Sequence, residues 1–550
     1  MKKKQRISLI LALMLIFTAL CGLSVSAADA DENALSVYSG TNDYDFWLEK
    51  LGGTDREVTI MTADQLMAFA DLSLGFNFEG WTIKLGADMV INTGDASAWA
   101  TTAPKYTWKC STTWANRFAG NFDGQGHVIS GLYSKFGQEC GLFGTVTGGN
   151  TIQNVSIVNS YFEFNADNVN SDVCLMGGII GYIDGNSSDG KYDYLTTTIR
   201  NVYVDATLFT NCATPAPSGQ TTKTGVGGIV GMMGNTSFQD LVIENAVFEG
   251  NLTSSYRNMG GIIGRTFIYT SGTVTIKNCA VYADINSLNE DEPNVGGLVG
   301  LVGGTNVEIQ DCLVKGTIKT LVNKMTSAFI AFANVTRSTQ ITANNVLLAV
   351  TPIPTGDSGV IFRSMLLNYY TTANLTVNFT NIRYEQGFYT YPADMNHIAK
   401  TGGEAKITGG DFKATAVATA DLKGQAVFTG WTAVDGNYPI PAGVTIPTID
   451  VDAFINAVPP TPSAPNEGGE NNENTENTTD NGNSSNTNKP GSSNNSSSTT
   501  AETTTTTPET DAPADAKSGG CGSTVEFAGI ALLALVAVMA VVPFKKKVKN

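Results

Sequence analysis

Histidine, cysteine and charged side chains are scarce in this sequence of 550 residues. It contains two histidines and eight cysteines, and charged residues make up 15% of the chain. So few histidines leave little room for histidine-based catalysis or for a histidine-rich metal site. The cysteines include no C-x-x-C pair, which disfavours a structural zinc site. We therefore predict that the protein holds no metal and no cofactor.

Basic residues are also in short supply. The chain carries 33 lysines and arginines against 50 aspartates and glutamates, and its formal net charge is −17. A nucleic acid requires a concentration of positive charge on its partner, so we exclude DNA and RNA as ligands. The 58 glycines follow no G-X-Y period, which excludes a collagen-like structure.

Valine, isoleucine, leucine, methionine and the aromatic residues are missing altogether from residues 459–524. This stretch consists largely of asparagine, serine, threonine, proline and glutamate. Such a composition cannot bury enough apolar surface to offset the entropy that is lost on ordering. We predict that residues 459–524 form a disordered stalk between the folded part of the protein and its C-terminal segment.

Both ends of the sequence carry signals for export and membrane insertion. Residues 1–27 combine an early basic group, an apolar stretch and small residues, which is typical of a secretory signal peptide. Residues 525–544, from Val525 to Phe544, form an apolar run long enough for a transmembrane helix. The basic tail at 545–550 favours a cytoplasmic C-terminus. We predict an exported cell-surface protein, anchored in the plasma membrane by this single C-terminal helix.

Short glycine-containing strings recur through the part of the chain that is expected to fold. Each has a glycine, two apolar residues and a second glycine, and the intervals between them are typical of a solenoid. The copies lie at residues 141–144, 177–181, 227–231, 260–264 and 296–300. We expect two degenerate copies at 327–331 and 358–362.

A second pattern follows each string, namely alternating apolar residues that predict a half-buried β-strand. In residues 273–285 the alternation shifts by one position at Asn278, yet the residues on both sides stay apolar. A one-residue slip turns the following side chains to the opposite face unless the chain bends. The same slip recurs elsewhere, so we predict bends in a left-handed conformation at Asn154, Asn201, Asn245, Asn278, Asp311, Asn345 and Asn381.

One bend in each repeat predicts a coil. Successive long strands would pair in parallel, aliphatic side chains would fill the interior, and the bend residues would stack in a hydrogen-bonded ladder. The predicted fold is an all-β, right-handed parallel β-helix with a short N-terminal helix, a disordered stalk and a C-terminal transmembrane helix. A β-sandwich or a propeller is the alternative, although the 33-residue spacing of Asn245, Asn278 and Asp311 is short for a propeller blade.

The glycine strings resemble the GLUG motif, a repeat of bacterial surface proteins. Residues 114–133 resemble the segment that precedes such repeats, and residues 429–439 resemble the closing element of that family. The resemblance implies a β-helix with adhesive or scaffolding roles. On this basis the chain divides into an N-terminal cap at 28–134, GLUG-type repeats at 135–390 and a C-terminal capping β segment at 391–458.

No catalytic group is predicted. Some GLUG proteins are attached to metallopeptidases that cleave immunoglobulin A1, but the H-E-x-x-H signature of those enzymes is absent here. Carboxylates such as Asp184 and those at 290–292 fall in predicted loops without a partner pattern. Asp123 and His127 lie in a glycine-rich turn, which is explained as structure.

The C-terminal segment resembles the anchors of Gram-positive surface proteins, without the sortase L-P-x-T-G string.

Two sets of residues are candidates for covalent bonding or for ligand binding. Cys279 and Cys312 occupy equivalent positions in adjacent repeats, within reach of a disulfide, although their inward alternation is also typical of buried free thiols. Trp99, Trp108 and Trp114 fall in a segment with little strand pattern and, if exposed, would stack on sugar rings or anchor a protein. The alternative is that they cover the open N-terminal end of the coil.

These observations predict a non-catalytic, membrane-anchored cell-surface protein. Its β-helix would present a long face for adhesion or for binding of extracellular polymers, with an extracellular glycan or a host or cell-surface protein as the partner. A polysaccharide lyase or glycoside hydrolase on the same scaffold is the first alternative, and it requires ionisable groups clustered on one exterior face. A structural protein of the cell-wall layer is the second.

Overall fold

The computed structural model describes most of residues 35–460. The described ranges are 35–110, 116–136, 139–164, 173–185, 195–210, 223–234, 239–266, 272–322, 324–353, 362–387, 397–403, 407–409, 412 and 414–460. No helix within these ranges is long and apolar enough to span a bilayer. The predicted signal peptide, the stalk beyond residue 460, the segment 525–544 and the basic tail lie outside the described residues.

The N-terminal part of the fold joins two helices to seven short strands. In chain order the elements are β1 (Ser36–Val37), α1 (Tyr44–Gly52), β2 (Glu57–Ile60), α2 (Ala63–Ser73), β3 (Thr82–Leu85), β4 (Met89–Val90), a 3-10 turn (Ala96–Ala98), β5 (Asn121–Asp123), β6 (Val128–Ser130) and β7 (Tyr133–Phe136). Helix α2 begins where Thr62 Oγ1 accepts a hydrogen bond from the Gln65 amide at 3.2 Å. The buried Trp47 of α1 donates from Nε1 to the Gln65 carbonyl at 2.8 Å, which joins the two helices.

Repeats follow, and each complete repeat contributes two short strands and one long strand. The first three are β8 (Glu139–Cys140), β9 (Phe143–Val146), β10 (Thr151–Phe164); β11 (Val173–Gly177), β12 (Ile180–Ile183), β13 (Leu195–Thr210); and β14 (Lys223–Gly227), β15 (Val230–Met233), β16 (Gln239–Ser254). The next three are β17 (Asn258–Gly260), β18 (Ile263–Thr266), β19 (Thr273–Ser287); β20 (Asn294–Gly296), β21 (Val299–Val302), β22 (Asn306–Thr320); and β23 (Met325–Ser327), β24 (Ile330–Val335), β25 (Thr339–Ile353). The last coils contain β26 (Leu367–Thr371), β27 (Leu375–Glu385), β28 (Ile398–Gly402), β29 (Ile407–Gly409) and β30 (Ala414–Val417).

The strands pair in three parallel sheets that extend along the coil axis. The long strands form one sheet in the order β10-β13-β16-β19-β22-β25-β27, and the two kinds of short strand form the other two sheets. Equivalent residues of successive repeats lie side by side, so that Ile243 pairs with Ile276, and Ile276 with Ile309. These side chains point inward and are buried. The described chain is therefore mostly parallel β-sheet, consistent with the predicted parallel β-helix.

Every long strand of the repeats bends at a residue in the left-handed conformation. The φ angles of the seven residues that the phase slips predict lie between 52° and 55°; they are Asn154, Asn201, Asn245, Asn278, Asp311, Asn345 and Asn381. Each bend divides its strand into a first arm and a second arm. Strand β10 contains one more left-handed residue, Asn159 (φ 47°), at a register shift against β13 that the alternation does not reveal.

The repeat continues beyond the glycine-containing copies. Residues 327–331 follow the preceding glycine string in register, as predicted. The next copy lies at 364–368 rather than at 358–362, because Leu367 pairs with Ile330. This copy reads Ser-Met-Leu-Leu-Asn and contains no glycine, so the glycine at position 359 misled the prediction.

The chain reverses direction after the last coil. Beyond β30 it forms α3 (Thr419–Leu422), the antiparallel pair β31 (Thr432–Val434) and β32 (Asn437–Ile440), and α4 (Val451–Ile455). We call residues 418–457 the return segment. It packs along the outer side of the long-strand sheet, back to the N-terminal elements, where the Gly94 amide donates to the Ile455 carbonyl at 2.9 Å.

The return segment covers an apolar column on the second arms. The column consists of outward residues in register, Val247, Ala280, Leu313 and Leu347. Against it pack five buried residues of the return segment: Leu422, Val427, Phe428, Trp431 and Tyr438. Without this cover the apolar side chains of the column would be exposed to solvent.

The predicted C-terminal capping β segment, residues 391–458, divides into two parts in the described structure. Strands β28, β29 and β30 pair with β26 and β27 and complete the last coil. The rest of the segment lies on the flank of the sheet, because its apolar residues find their partners on the outward column of the second arms.

Candidate functional site

The first arms of the long strands leave one broad side of the coil in contact with solvent. Their outward side chains form three columns along the axis, with one residue from each coil in each column. We call these residues the polar face. The first column is Gln153, Arg200, Glu244, Lys277, Gln310, Asn344 and Thr380; the second is Thr151, Thr198, Val242, Thr275, Glu308, Thr342 and Asn378; the third is Thr196, Asp240, Thr273, Asn306, Gln340, Thr376 and Thr408. All of them are exposed or half-buried.

Hydrogen bonds between neighbouring coils fix the order of these side chains. In the first column, Arg200 Nε donates to Gln153 Oε1 at 2.7 Å. In the third column, the backbone N–H of Gln340 donates to Asn306 Oδ1 at 2.9 Å. Because neighbouring strands lie about 4.8 Å apart, the polar face presents a new row of side chains at each such interval along the axis.

The polar face carries little charge for a protein whose net charge is −17. Its charged members are Arg200, Lys277, Asp240, Glu244 and Glu308, and the remaining ones are uncharged. Lys277 Nζ lies 3.7 Å from Glu244 Oε1, so two of the five charges form a pair. The face therefore offers amide and hydroxyl groups to a ligand more than ionic groups.

The bend residues form a further column at the corner between the two arms. Their side-chain amides donate to the residue of the preceding coil in two runs. The bonds of the first run are Asn154 to Asp123 (2.9 Å), Asn201 to Asn154 (2.8 Å) and Asn245 to Asn201 (3.0 Å); those of the second are Asn345 to Asp311 (2.9 Å) and Asn381 to Asn345 (3.1 Å). The ladder predicted from the sequence thus begins one coil earlier, at Asp123.

The return segment reaches the ladder between these two runs. Trp431 donates from Nε1 to Asp311 Oδ1 at 2.9 Å. The backbone at Gly443 passes so close that a Cβ atom there would lie 2.9 Å from Asn278 Nδ2 and 3.1 Å from Asn245 Oδ1. The ladder therefore has two roles, turning the corner of each coil and docking the return segment.

Asn201→Ala is expected to lower the free energy of unfolding by about 2–3 kcal/mol. Alanine adopts a φ of 54° poorly, at about 1–2 kcal/mol, and two ladder hydrogen bonds are lost at about 0.5 kcal/mol each for such an exposed residue. Asn201→Gly is the matched control, since glycine loses the same bonds without the backbone strain. Urea denaturation followed by circular dichroism measures both, and equal losses would contradict the strain argument.

The two described tryptophans of the predicted stacking set are buried. Trp99 is 5% exposed, and its ring packs edge-on against Tyr133 with 6.1 Å between centroids. Trp108 is 1% exposed, and its Nε1 donates to the Leu142 carbonyl at 3.1 Å. Of the two interpretations of this set, stacking on a ligand is wrong for Trp99 and Trp108, because both rings are buried against the first coils, as the alternative predicts. Trp114 lies outside the described residues.

Cys279 and Cys312 lie side by side in adjacent coils, but both are free thiols. Each Sγ donates to a carbonyl of its own strand, at Lys277 (3.2 Å) and Gln310 (3.3 Å). Burial raises the pKa of the Cys312 thiol, which keeps it protonated. Of the two interpretations of this pair, buried free thiols are therefore confirmed and the disulfide is not.

The loop carboxylates that were weighed for catalysis take part in ion pairs. Asp184 Oδ2 lies 3.0 Å from Arg117 Nη1. Asp291 Oδ2 lies 3.3 Å from Arg257 Nη2. Within the described ranges no group of three or more His, Cys, Asp and Glu is placed to hold a metal ion. These carboxylates tie loops to the coil.

Asp123 is a hydrogen-bond acceptor at the start of the ladder. Burial opposes its ionisation, but hydrogen bonds from Asn154, the Gln125 amide and Gln153 outweigh that effect and lower its pKa. His127, in the same turn, lies with Nδ1 3.1 Å from Asp88 Oδ1. The glycine-rich turn is therefore explained as structure.

Two carboxylates lie next to each other on the second arms, and the sequence analysis did not predict this pair. Asp205 and Glu249 are neighbours in register. Burial raises the pKa of Asp205 to about 6, and the charges of Glu249 and Asp95 add to the shift. Tyr203 OH donates to Glu249 Oε2 at 2.8 Å and packs against the return segment. The available signal was a carboxylate at the same position in two consecutive repeats.

Asp205→Asn is expected to raise the free energy of unfolding at pH 7.5 by about 1–3 kcal/mol, with no gain near pH 4. A carboxyl whose folded pKa is raised stabilises the fold fully below its unfolded pKa, and this contribution is lost as the pH rises through about 6. Urea denaturation between pH 4 and pH 8 measures the difference. Glu249→Gln should recover part of the gain, and parallel curves for Asp205→Asn and the wild type would refute the assignment.

Comparisons with known proteins give little further guidance. No family model matches the chain, and no curated protein matches it. A solved structure from Bacteroides ovatus, provisionally assigned as an immunoglobulin A1 protease, shares 20% sequence identity, with 71% of this chain and 93% of that chain covered and a TM-score of 0.36. A likeness this weak supports no inference about this chain.

Proposed function

We propose that the protein is a non-catalytic cell-surface protein of the GLUG type, whose β-helix binds extracellular polymers, either a glycan or a host or cell-surface protein. The glycine strings and the bend residues support the GLUG assignment. The coil is right-handed in this proposal, as crossovers between parallel strands nearly always are. Residues 525–544 hold the protein in the membrane, and residues 459–524 act as the spacer.

The observation that carries this proposal is the contrast between the two outward sides of the long-strand sheet. On the second arms, the apolar column from Val247 to Leu347 is covered by the return segment. On the first arms, the polar face keeps its side chains exposed or half-buried. An accessible surface that presents a row of mostly polar side chains in each coil suits a partner that is itself a repeating, extended chain.

The engagement of the carboxylates supports a role without catalysis. Glycosidases place two carboxyl groups on either side of the scissile bond, one of them kept protonated as an acid. On the polar face, Glu244 lies beside Lys277, and Asp240 accepts from the Thr273 amide at 2.7 Å. Such contacts within the sheet support a structural role for Glu244 and Asp240.

A second candidate function, a glycoside hydrolase, is favoured by one observation. Asp205 and Glu249 are adjacent carboxylates in different environments, and the pKa of Asp205 is raised. A glycoside hydrolase requires such a pair, with one carboxyl as the general acid and the other as its ionised partner. Release of reducing sugar that disappears in Asp205→Asn would support this candidate. The proposal of a binding protein predicts no release by either form.

Full-length protein in detergent micelles provides the test of binding. We expect saturable binding to at least one polymer in a panel of plant polysaccharides, mucin and extracellular matrix proteins, without release of reducing sugar. Heat-denatured protein and empty micelles are the controls. Failure to bind any polymer would count against the proposed function.

A further inference from the structure

Both ends of the described fold meet at its N-terminal end. Phe454 of the return segment is buried together with Val90 and Val128, and Leu35 and Val37 pack against the same cluster. Leu35 and Ala457, near the two ends of the described residues, therefore pack against the same cluster. Strands β22, β25, β27 and β29 lie at the far end of the sheet from this point.

The composition of the polar face changes along this direction. We call its part on β22, β25, β27 and β29 the distal polar face, which consists of Asn306, Glu308, Gln310, Gln340, Thr342, Asn344, Thr376, Asn378, Thr380 and Thr408. Glu308 is its single charged member, and the others are amides and hydroxyls. The part nearer the N-terminal end carries both cations and two of the three carboxylates.

Amide and hydroxyl side chains both donate and accept hydrogen bonds, as sugar hydroxyls do. Each coil advances the distal polar face by about 4.8 Å, a step comparable to one pyranose unit of an extended polysaccharide. Thr376 and Thr408 already lie within hydrogen-bond distance across coils, with 3.1 Å between their Oγ1 atoms. Glu308 and the protein's net charge of −17 would repel the negative charges of an acidic polysaccharide. An uncharged polysaccharide would not be repelled.

We propose that the distal polar face binds an uncharged, hydroxyl-rich linear polysaccharide that lies along the coil axis, with about one sugar unit at each coil. This inference rests on the proposed binding function and names its ligand class and its site.

The test compares two triple variants of the full-length protein in micelles. The distal variant is Gln340→Ala, Thr342→Ala, Asn378→Ala, and the matched proximal variant is Thr151→Ala, Thr198→Ala, Thr275→Ala. The probes are mannan, xyloglucan and mixed-linkage β-glucan, with polygalacturonate as the acidic comparison and mucin as the glycoprotein. We expect the distal variant to bind an uncharged probe at least about tenfold more weakly, since several hydrogen bonds are lost. The proximal variant should change affinity less than about twofold.

Equal weakening by both variants, or by neither, would overturn the assignment of the site. Binding of polygalacturonate or mucin alone would overturn the uncharged ligand class but leave the proposed binding function standing. If the distal triple variant does not fold, the exposed single substitution Gln340→Glu introduces a charge of nearly the same shape and should weaken binding of the same probe. Unchanged affinity in that variant would also refute the inference.

Discussion

Replacing Gly231 with alanine is expected to lower the free energy of unfolding by about 3–5 kcal/mol. A Cβ atom there would lie 2.5 Å from the Gly181 carbonyl oxygen and 2.6 Å from the Met176 amide nitrogen. Both are backbone atoms of the preceding coil. Because their strands are held in parallel sheets, they cannot move aside as the end of a flexible side chain would. Close approach of the two short-strand sheets, rather than a positive φ, therefore requires this glycine.

Gly53→Ala is the control for this substitution. Gly53 has a φ of −82°, and the nearest atom to a Cβ there, the Lys50 carbonyl oxygen, lies 3.4 Å away. We expect its free energy of unfolding to change by less than about 1 kcal/mol. Urea denaturation followed by far-ultraviolet circular dichroism compares both variants with the wild type. A Gly231→Ala midpoint equal to that of Gly53→Ala would show that the sheets can separate.

Trp431→Ala is expected to lower the free energy of unfolding by about 3–5 kcal/mol and to release the return segment from the coil. Trp431 is 4% exposed, and its ring packs against Phe428 with 5.0 Å between centroids. Its removal leaves a cavity over the apolar column of the second arms and takes a hydrogen bond from Asp311. Limited proteolysis should then cleave within residues 418–457 before it cleaves the coil.

Trp431→Phe separates packing from the hydrogen bond. Phenylalanine keeps an aromatic ring in the site but lacks the indole N–H. The free energy of unfolding should therefore fall by only about 1–2 kcal/mol. Asp311 still accepts from Asn345 and from Gln310 in that variant. An unchanged protease pattern in Trp431→Ala would show that the other contacts of the return segment are enough to hold it. The prediction that Trp431 is required for its docking would then be wrong.

The bends and the glycine strings could be read from the sequence because both depend on local backbone constraints. A phase slip at Asn278 or Asn345 requires a left-handed residue whatever lies around it. Gly231 and Gly264 mark places where two backbones touch, and the string repeats with each coil. Repetition multiplied these local signals, so the coil was predictable. The degenerate copy at 364–368 was missed because it carries no glycine.

The return segment was not predicted, although a signal for it exists. Directly after five of the seven bends, three apolar residues follow in a row, as in Cys279-Ala280-Val281 and Cys312-Leu313-Val314. In each triplet the middle residue breaks the alternation and points outward, where it needs a cover. Nothing in the order of residues 418–457 states that this cover comes from the same chain.

The same limit explains the corrected site residues. The poor strand pattern around Trp99 and Trp108 indicated a loop, but only packing decided whether their rings face solvent or the first coils. Equivalent positions placed Cys279 and Cys312 side by side, but only the structure showed that both are buried free thiols. Asp205 and Glu249 are distant in sequence, and only the register of β13 against β16 shows that they are neighbours.

By itself the sequence determined the coil, its corners and its parallel pairing, because each depends on the conformation of a few consecutive residues repeated many times. The tertiary structure alone decided which outward surface is covered and which stays open. That choice depends on contacts between residues more than one hundred positions apart, such as Trp431 and Asp311. The free energy of burying an apolar column is the same whichever segment supplies the cover, so no local pattern specifies it.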